Sequence, residues 1–136
     1  MQEIKILRKA REKHYHNEDG TFTVEMYDKN IHYLKNNVYH EIDNTLILKE
    51  NYLTNKENEF KVNFARNKEE TFLLQILKKN HYLNINLENK NILYNVDKNK
   101  MTYLNVLNNI DIEYIIKNEQ IKDNIILKQK NNDFKN

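Results

Sequence analysis

The chain has 136 residues and a mass of 16.6 kDa, the size of one domain built around one core. Asn, Lys and Ile fill 59 positions, while Gly occurs once and Pro, Ser, Cys and Trp are absent. This excludes disulfides, thiolate nucleophiles, iron–sulfur clusters, Ser–His–Asp triads and glycine-rich phosphate loops. Twenty-two basic residues against twenty acidic ones leave +2, with no basic run longer than two, so the charge pattern does not point to nucleic acid.

From the start, residues 1–13 are rich in Lys, Arg, Glu and Leu and read as a short helix or lead-in. Charges stand there where a signal peptide needs an apolar segment, so no export signal is read in it. Phe22, Val24 and Met26 then alternate with Thr21, Thr23 and Glu25, the period of a strand with one buried and one wet face. Asp43 and Asn44 suit a strand end, because Asx side chains bond nearby backbone groups. Phe60, Val62 and Phe64 repeat the alternation, as do Leu83, Ile85 and Leu87, and then Ile110, Ile112, Tyr114 and Ile116. Residues 71–77 and 124–127 are apolar on both faces and predict strands covered on both sides.

Turn signals fall between these runs at 17–20, 35–37, 55–58, 78–80, 88–90, 97–100 and 118–119. With one Gly, Asn must supply the positive φ angles such turns need. The pattern predicts an all-β fold, an antiparallel β-sandwich or open barrel of about 9–11 short strands. The expected organisation is a lead-in over 1–13, a sandwich domain over 14–129 and a polar tail over 130–136. Apolar runs never exceed three residues, against the roughly 20 that a membrane-spanning helix needs. A last strand left at a sheet edge would invite pairing with other β modules or a second copy of the chain.

Candidate chemistry is sparse, and no cofactor is implied. His14 and His16 share one strand face, and His32 and His40 flank the 35–37 turn. A three-residue loop would oppose His32 to His40 as two metal ligands, whereas a two-residue turn would separate them. Asp111 with Glu113, and Glu41 with Asp43, lie two apart on one strand each, which gives no groove between carboxylates. Tyr33, Tyr39, Tyr82, Tyr94 and Tyr103 are the residues best suited to ligand binding, as a stacking platform for sugar rings or bases.

Two blocks carry a family resemblance. DGTFTVEMYDKNIHY (19–33) followed by EIDNTL (41–46) and TNKENEFKVNFA (54–65) is the first; MTYLNVLNNIDIEYIIKNEQIKDNIILK (101–128) is the second. Together they resemble the amino-terminal β-rich region of large bacterial secreted proteins of the RHS-repeat and DNRLRE-domain kind, including wall-associated proteins. Tyr39 stands where those proteins commonly carry Trp. The resemblance implies a non-catalytic structural or adhesive module, extracellular or on the cell surface, with no catalytic residues to carry over; a carbohydrate-binding module with a tyrosine-lined face is the alternative. On physical grounds Asp111 is expected to pair with Lys122 across neighbouring strands.

Overall fold

The structure is a computed structural model and describes residues 1–128. The chain is all-β. Among the described residues the fourteen strands are β1 (Gln2–Glu3), β2 (Glu12–His16), β3 (Phe22–Met26), β4 (His32–Lys35), β5 (Val38–Glu41), β6 (Asp43–Lys49), β7 (Tyr52–Glu57), β8 (Phe60–Phe64), β9 (Leu74–Lys78), β10 (His81–Ile85), β11 (Tyr94–Asp97), β12 (Lys100–Leu107), β13 (Ile110–Ile116) and β14 (Ile121–Leu127). Every pairing is antiparallel and joins neighbours in sequence. The strands form a five-stranded sheet ordered β10-β9-β8-β7-β6, a four-stranded sheet ordered β11-β12-β13-β14, a three-stranded sheet ordered β1-β2-β3 and the hairpin β4-β5.

The two larger sheets make the sandwich. Val62, Phe64 and Leu74 from the first meet Met101, Tyr103, Ile112, Tyr114 and Ile116 from the second in one core. Phe64 sits with ring centroids 5.5 Å from Tyr114 and 6.3 Å from Tyr103, and the two tyrosines meet edge to face at 6.5 Å. Such tilted arrangements suit the aromatic quadrupole. The runs at 60–64 and 110–116 therefore bury the faces their alternation predicts.

The strand number exceeds the expected 9–11, partly because the lead-in is itself sheet. Gln2 and Glu3 pair with His16 and Tyr15, and the helix expected there is a single 3-10 turn, Lys5–Leu7. The polar tail expected at 130–136 lies outside the described residues. A second departure concerns 55–58, expected as a turn. Asn55 instead lies inside β7, fully buried, and its side chain replaces a ladder partner: Oδ1 accepts the Val62 N–H at 2.9 Å and Nδ2 donates to the Phe60 carbonyl at 3.0 Å.

Asparagine does take turn positions in place of glycine. Among the described residues, positive φ occurs at Gly20 and at Asn36, Asn37, Asn89, Asn105 and Asn109, with Glu50, Lys79 and Lys98 besides. Asn36 and Asn37, at φ 53° and 62°, make the two-residue turn that sets Lys35 opposite Val38. Asp43 Oδ1 accepts the Thr45 N–H at 3.0 Å beside a register shift in β6, the strand-end role its sequence suggested.

Period two tells which residues share a face, not which face is buried. On β3 the polar side points inward: its neighbour Lys13 on β2 donates to Glu41 at 2.9 Å, and Arg8, paired with Glu3 at 2.8 Å, also reaches the Tyr39 carbonyl. Phe22, Val24 and Met26 consequently face solvent, Phe22 at 68% exposure and Met26 at 77%. The doubly covered strands expected at 71–77 and 124–127 also differ. Phe72, Leu73 and Leu74 are buried but Gln75, Ile76 and Leu77 are half-buried. On β14, last in its sheet, Ile125, Ile126 and Leu127 are exposed.

Candidate functional site

The histidines do not converge. The two-residue turn places His32 opposite Glu41 and Tyr33 opposite His40, so the His32–His40 ligand pair is not formed. His32 is 2% exposed, with Nδ1 donating to the Lys9 carbonyl at 2.8 Å and Nε2 meeting no partner. His40 stacks on Tyr33 at 5.8 Å. His14 and His16 share a face of β2 as expected, but His14 bonds Glu12 at 3.1 Å and His16 packs on Phe22. Among the described residues, no group of three or more His, Asp or Glu is placed to hold a metal ion.

Nor do the tyrosines form one platform. Tyr103 is fully buried, and its hydroxyl donates to the Ala65 carbonyl at 2.7 Å and lies 3.2 Å from that of Leu73; burial pushes its phenol far above the ordinary range. Tyr94 is half-buried and accepts from Arg66 at 3.1 Å, while Tyr82 stands exposed on β10. Tyr33 and Tyr39 alone come together. They line a cleft of about 490 Å³ between the β4-β5 hairpin and the start of β8, with Phe60, Asn58, Lys78 and Glu119. Tyr33 donates a short hydrogen bond to Glu57; burial first, then that bond, pushes its phenol up to about 12, and the same bond holds the Glu57 carboxyl below the usual range. The pair is locked as phenol and carboxylate at neutral pH.

Beside this cleft four asparagines tie the chain together. Asn44 Oδ1 accepts from Asn55 at 3.2 Å and from Asn58 at 3.0 Å, while its Nδ2 donates to Asn118 Oδ1 at 3.2 Å. Asn58 also donates to the Asn118 carbonyl at 3.1 Å, and Asn118 to that of Asn30 at 2.8 Å. Buried amides so paired hold the N-terminal sheet to the sandwich at little cost, since each donor finds an acceptor. Asp111 likewise serves structure: it accepts the Asn105 N–H at 2.8 Å and pairs with Lys128 at 3.2 Å. Lys122, its expected partner, lies opposite Ile115 instead.

The features left without an internal role are apolar and exposed. Leu83 and Ile85 on β10 pair with Ile76 and core Leu74; Ile125 and Leu127 on β14 pair with core Ile112 and with Ile110. By register these four point to the sandwich's inner side, yet all are open to solvent, Ile125 at 67% and Leu127 at 54%. The face of β3 adds a third such surface. Sequence patterning marked these residues as apolar strand positions and assigned them to the core.

No family model, curated protein or solved structure matches the chain. No helix among the described residues is long and apolar enough to cross a membrane.

Proposed function

We propose that the chain is a non-catalytic structural and surface-interaction β module of a larger secreted assembly, acting at or outside the cell surface. The observation that carries this is the exposure of aliphatic and aromatic side chains on β3, β10 and β14, which a free-standing domain would bury or replace with charge. The resemblance of the two sequence blocks to RHS-repeat and DNRLRE-type proteins supports the setting. A photo-crosslinking residue at Phe22, Leu83 or Ile125, introduced in the cell that makes the protein, should yield adducts with polypeptide. The same residue at Glu18, on an exposed turn, should not. Adducts at none of the three positions, or with nucleic acid, would refute the proposal.

The cleft of Tyr33, Tyr39 and Phe60 supports a second reading, a sugar site in which the rings stack and the exposed Lys78 and Glu119 take hydroxyls. Glycan-array binding abolished by Tyr39→Ala would favour it; silence on cell-wall polymers would remove it.

A further inference from the structure

We infer that β14 is a homodimerisation edge, on which a second copy of this chain adds its own β14 antiparallel and joins two four-stranded sheets into one of eight. The inference rests on the surface-interaction reading above and names the partner for one of its surfaces. Lys128 N–H bonds Asn109 and Lys117 N–H bonds Gln120, so the even-numbered residues of β14 face β13. The backbone groups of Ile121, Asp123, Ile125 and Leu127 consequently point to the other edge, where no strand lies among the described residues.

Charge selects how two such edges fit. A two-fold axis at Asp123 opposes carboxylate to carboxylate, and one at Lys122 or Ile125 opposes lysine to lysine, either Lys122 to its copy or Lys122 to Lys128 of the partner subunit. An axis at Asn124 sets Lys122 and Asp123 against isoleucines. At Ile126 the axis opposes Ile126 to its copy on the outer face and Ile125 to the partner's Leu127, twice, on the inner face, with Asn124 against the partner's Lys128. Across 124–128, the described residues opposed at this axis, no like charges meet, and all three exposed aliphatics of the strand find aliphatic neighbours. An axis perpendicular to the sheet also keeps both inner faces on the same side, so the open Ile125 and Leu127 of each copy cover one another.

The chain has no cysteine, so one substitution reports the register. Residues opposed across a non-hydrogen-bonded pair stand about 4.5 Å apart at Cα, within disulfide range. Ile126→Cys should give a covalent dimer on mild oxidation, and Lys122→Cys, far out of register with its own copy, should form no covalent dimer. Wild-type full-length chain should shift from monomer to dimer with concentration in sedimentation equilibrium. Ile125→Pro should weaken that association at least tenfold while leaving the monomer's circular dichroism intact, because the N–H it removes faces away from β13. A chain monomeric at every concentration would overturn the inference, as would efficient crosslinking of Lys122→Cys in place of Ile126→Cys. Photo-adducts at Ile125 with other polypeptides, in a chain that never dimerises, would overturn this inference and leave the surface-interaction reading standing.

Discussion

Replacing Tyr103 with Phe removes one buried oxygen and leaves the ring against Phe64 and Tyr114. Its hydroxyl serves the carbonyls of Ala65 and Leu73, residues with no exposed surface. Leu73 keeps a bond from the Ala65 N–H at 2.9 Å, so the loss falls mainly on the Ala65 carbonyl, the nearer partner at 2.7 Å. A buried acceptor left unpaired costs about 1–3 kcal/mol, and one that retains a second bond costs less. Tyr103→Phe should therefore destabilise by about 1–2 kcal/mol, lowering Tm by roughly 3–6 °C for a domain of this size. Urea unfolding followed by circular dichroism measures it through a shifted midpoint at unchanged slope. Tyr82→Phe, on an exposed edge strand, serves as the control and should stay within about 0.5 kcal/mol of wild type. A Tyr103→Phe variant as stable as wild type would refute the assignment of this hydroxyl as a brace between the β8–β9 connection and β12.

Other consequences follow from local geometry. Asn58→Ala removes donors to Asn44 and Asn118 and the acceptor of the Glu59 N–H, and should cost about 1–3 kcal/mol in chemical unfolding. Lys79 holds φ at 54°, so Lys79→Gly should stabilise the β9–β10 turn by roughly 0.5–1 kcal/mol, seen as a higher Tm. Glu3, Glu41, Glu57 and Asp111 are held below the usual carboxylate range by hydrogen bonds from Arg8, Lys13, Tyr33 and the Asn105 N–H respectively. A depressed folded pKa contributes stability that is complete above the unfolded value, about 4, and is lost as pH falls through the folded one. Tm should thus be level from pH 7 to about 5 and decline below about 4; a Tm unchanged at pH 3 would contradict these pairings.

Much of the sandwich was legible in the sequence because alternation on β8 and β13 coincides with burial on one face. Val62, Phe64, Ile112, Tyr114 and Ile116 all sit where period two puts them. The same alternation on β3 misled about direction, since Lys13 and Arg8 reward turning the polar side inward. Strand-pair register at β4-β5 depended on loop length, and Asn36-Asn37 supports either loop by composition; their two positive φ angles settle on two residues and separate His32 from His40. Asparagine hid the junction for a related reason. Asn36 and Asn109 serve turns, whereas Asn44, Asn55 and Asn58 are buried in a network assembled across 74 residues of sequence to Asn118. Nothing local distinguishes the two uses. Tyr103 reads like its exposed counterparts until the fold supplies carbonyls for its hydroxyl.

Amide hydrogen exchange along β14, measured residue by residue in the full-length chain over a range of concentrations, bears most directly on an edge that recruits a second copy. In dilute solution the Asp123, Ile125 and Leu127 amides should exchange fast while those of Lys122, Asn124 and Ile126, bonded to β13, stay protected. Raising the concentration should slow Ile125 and Leu127 selectively. Odd-numbered amides that are already protected when dilute, or that exchange equally fast at every concentration, would contradict it.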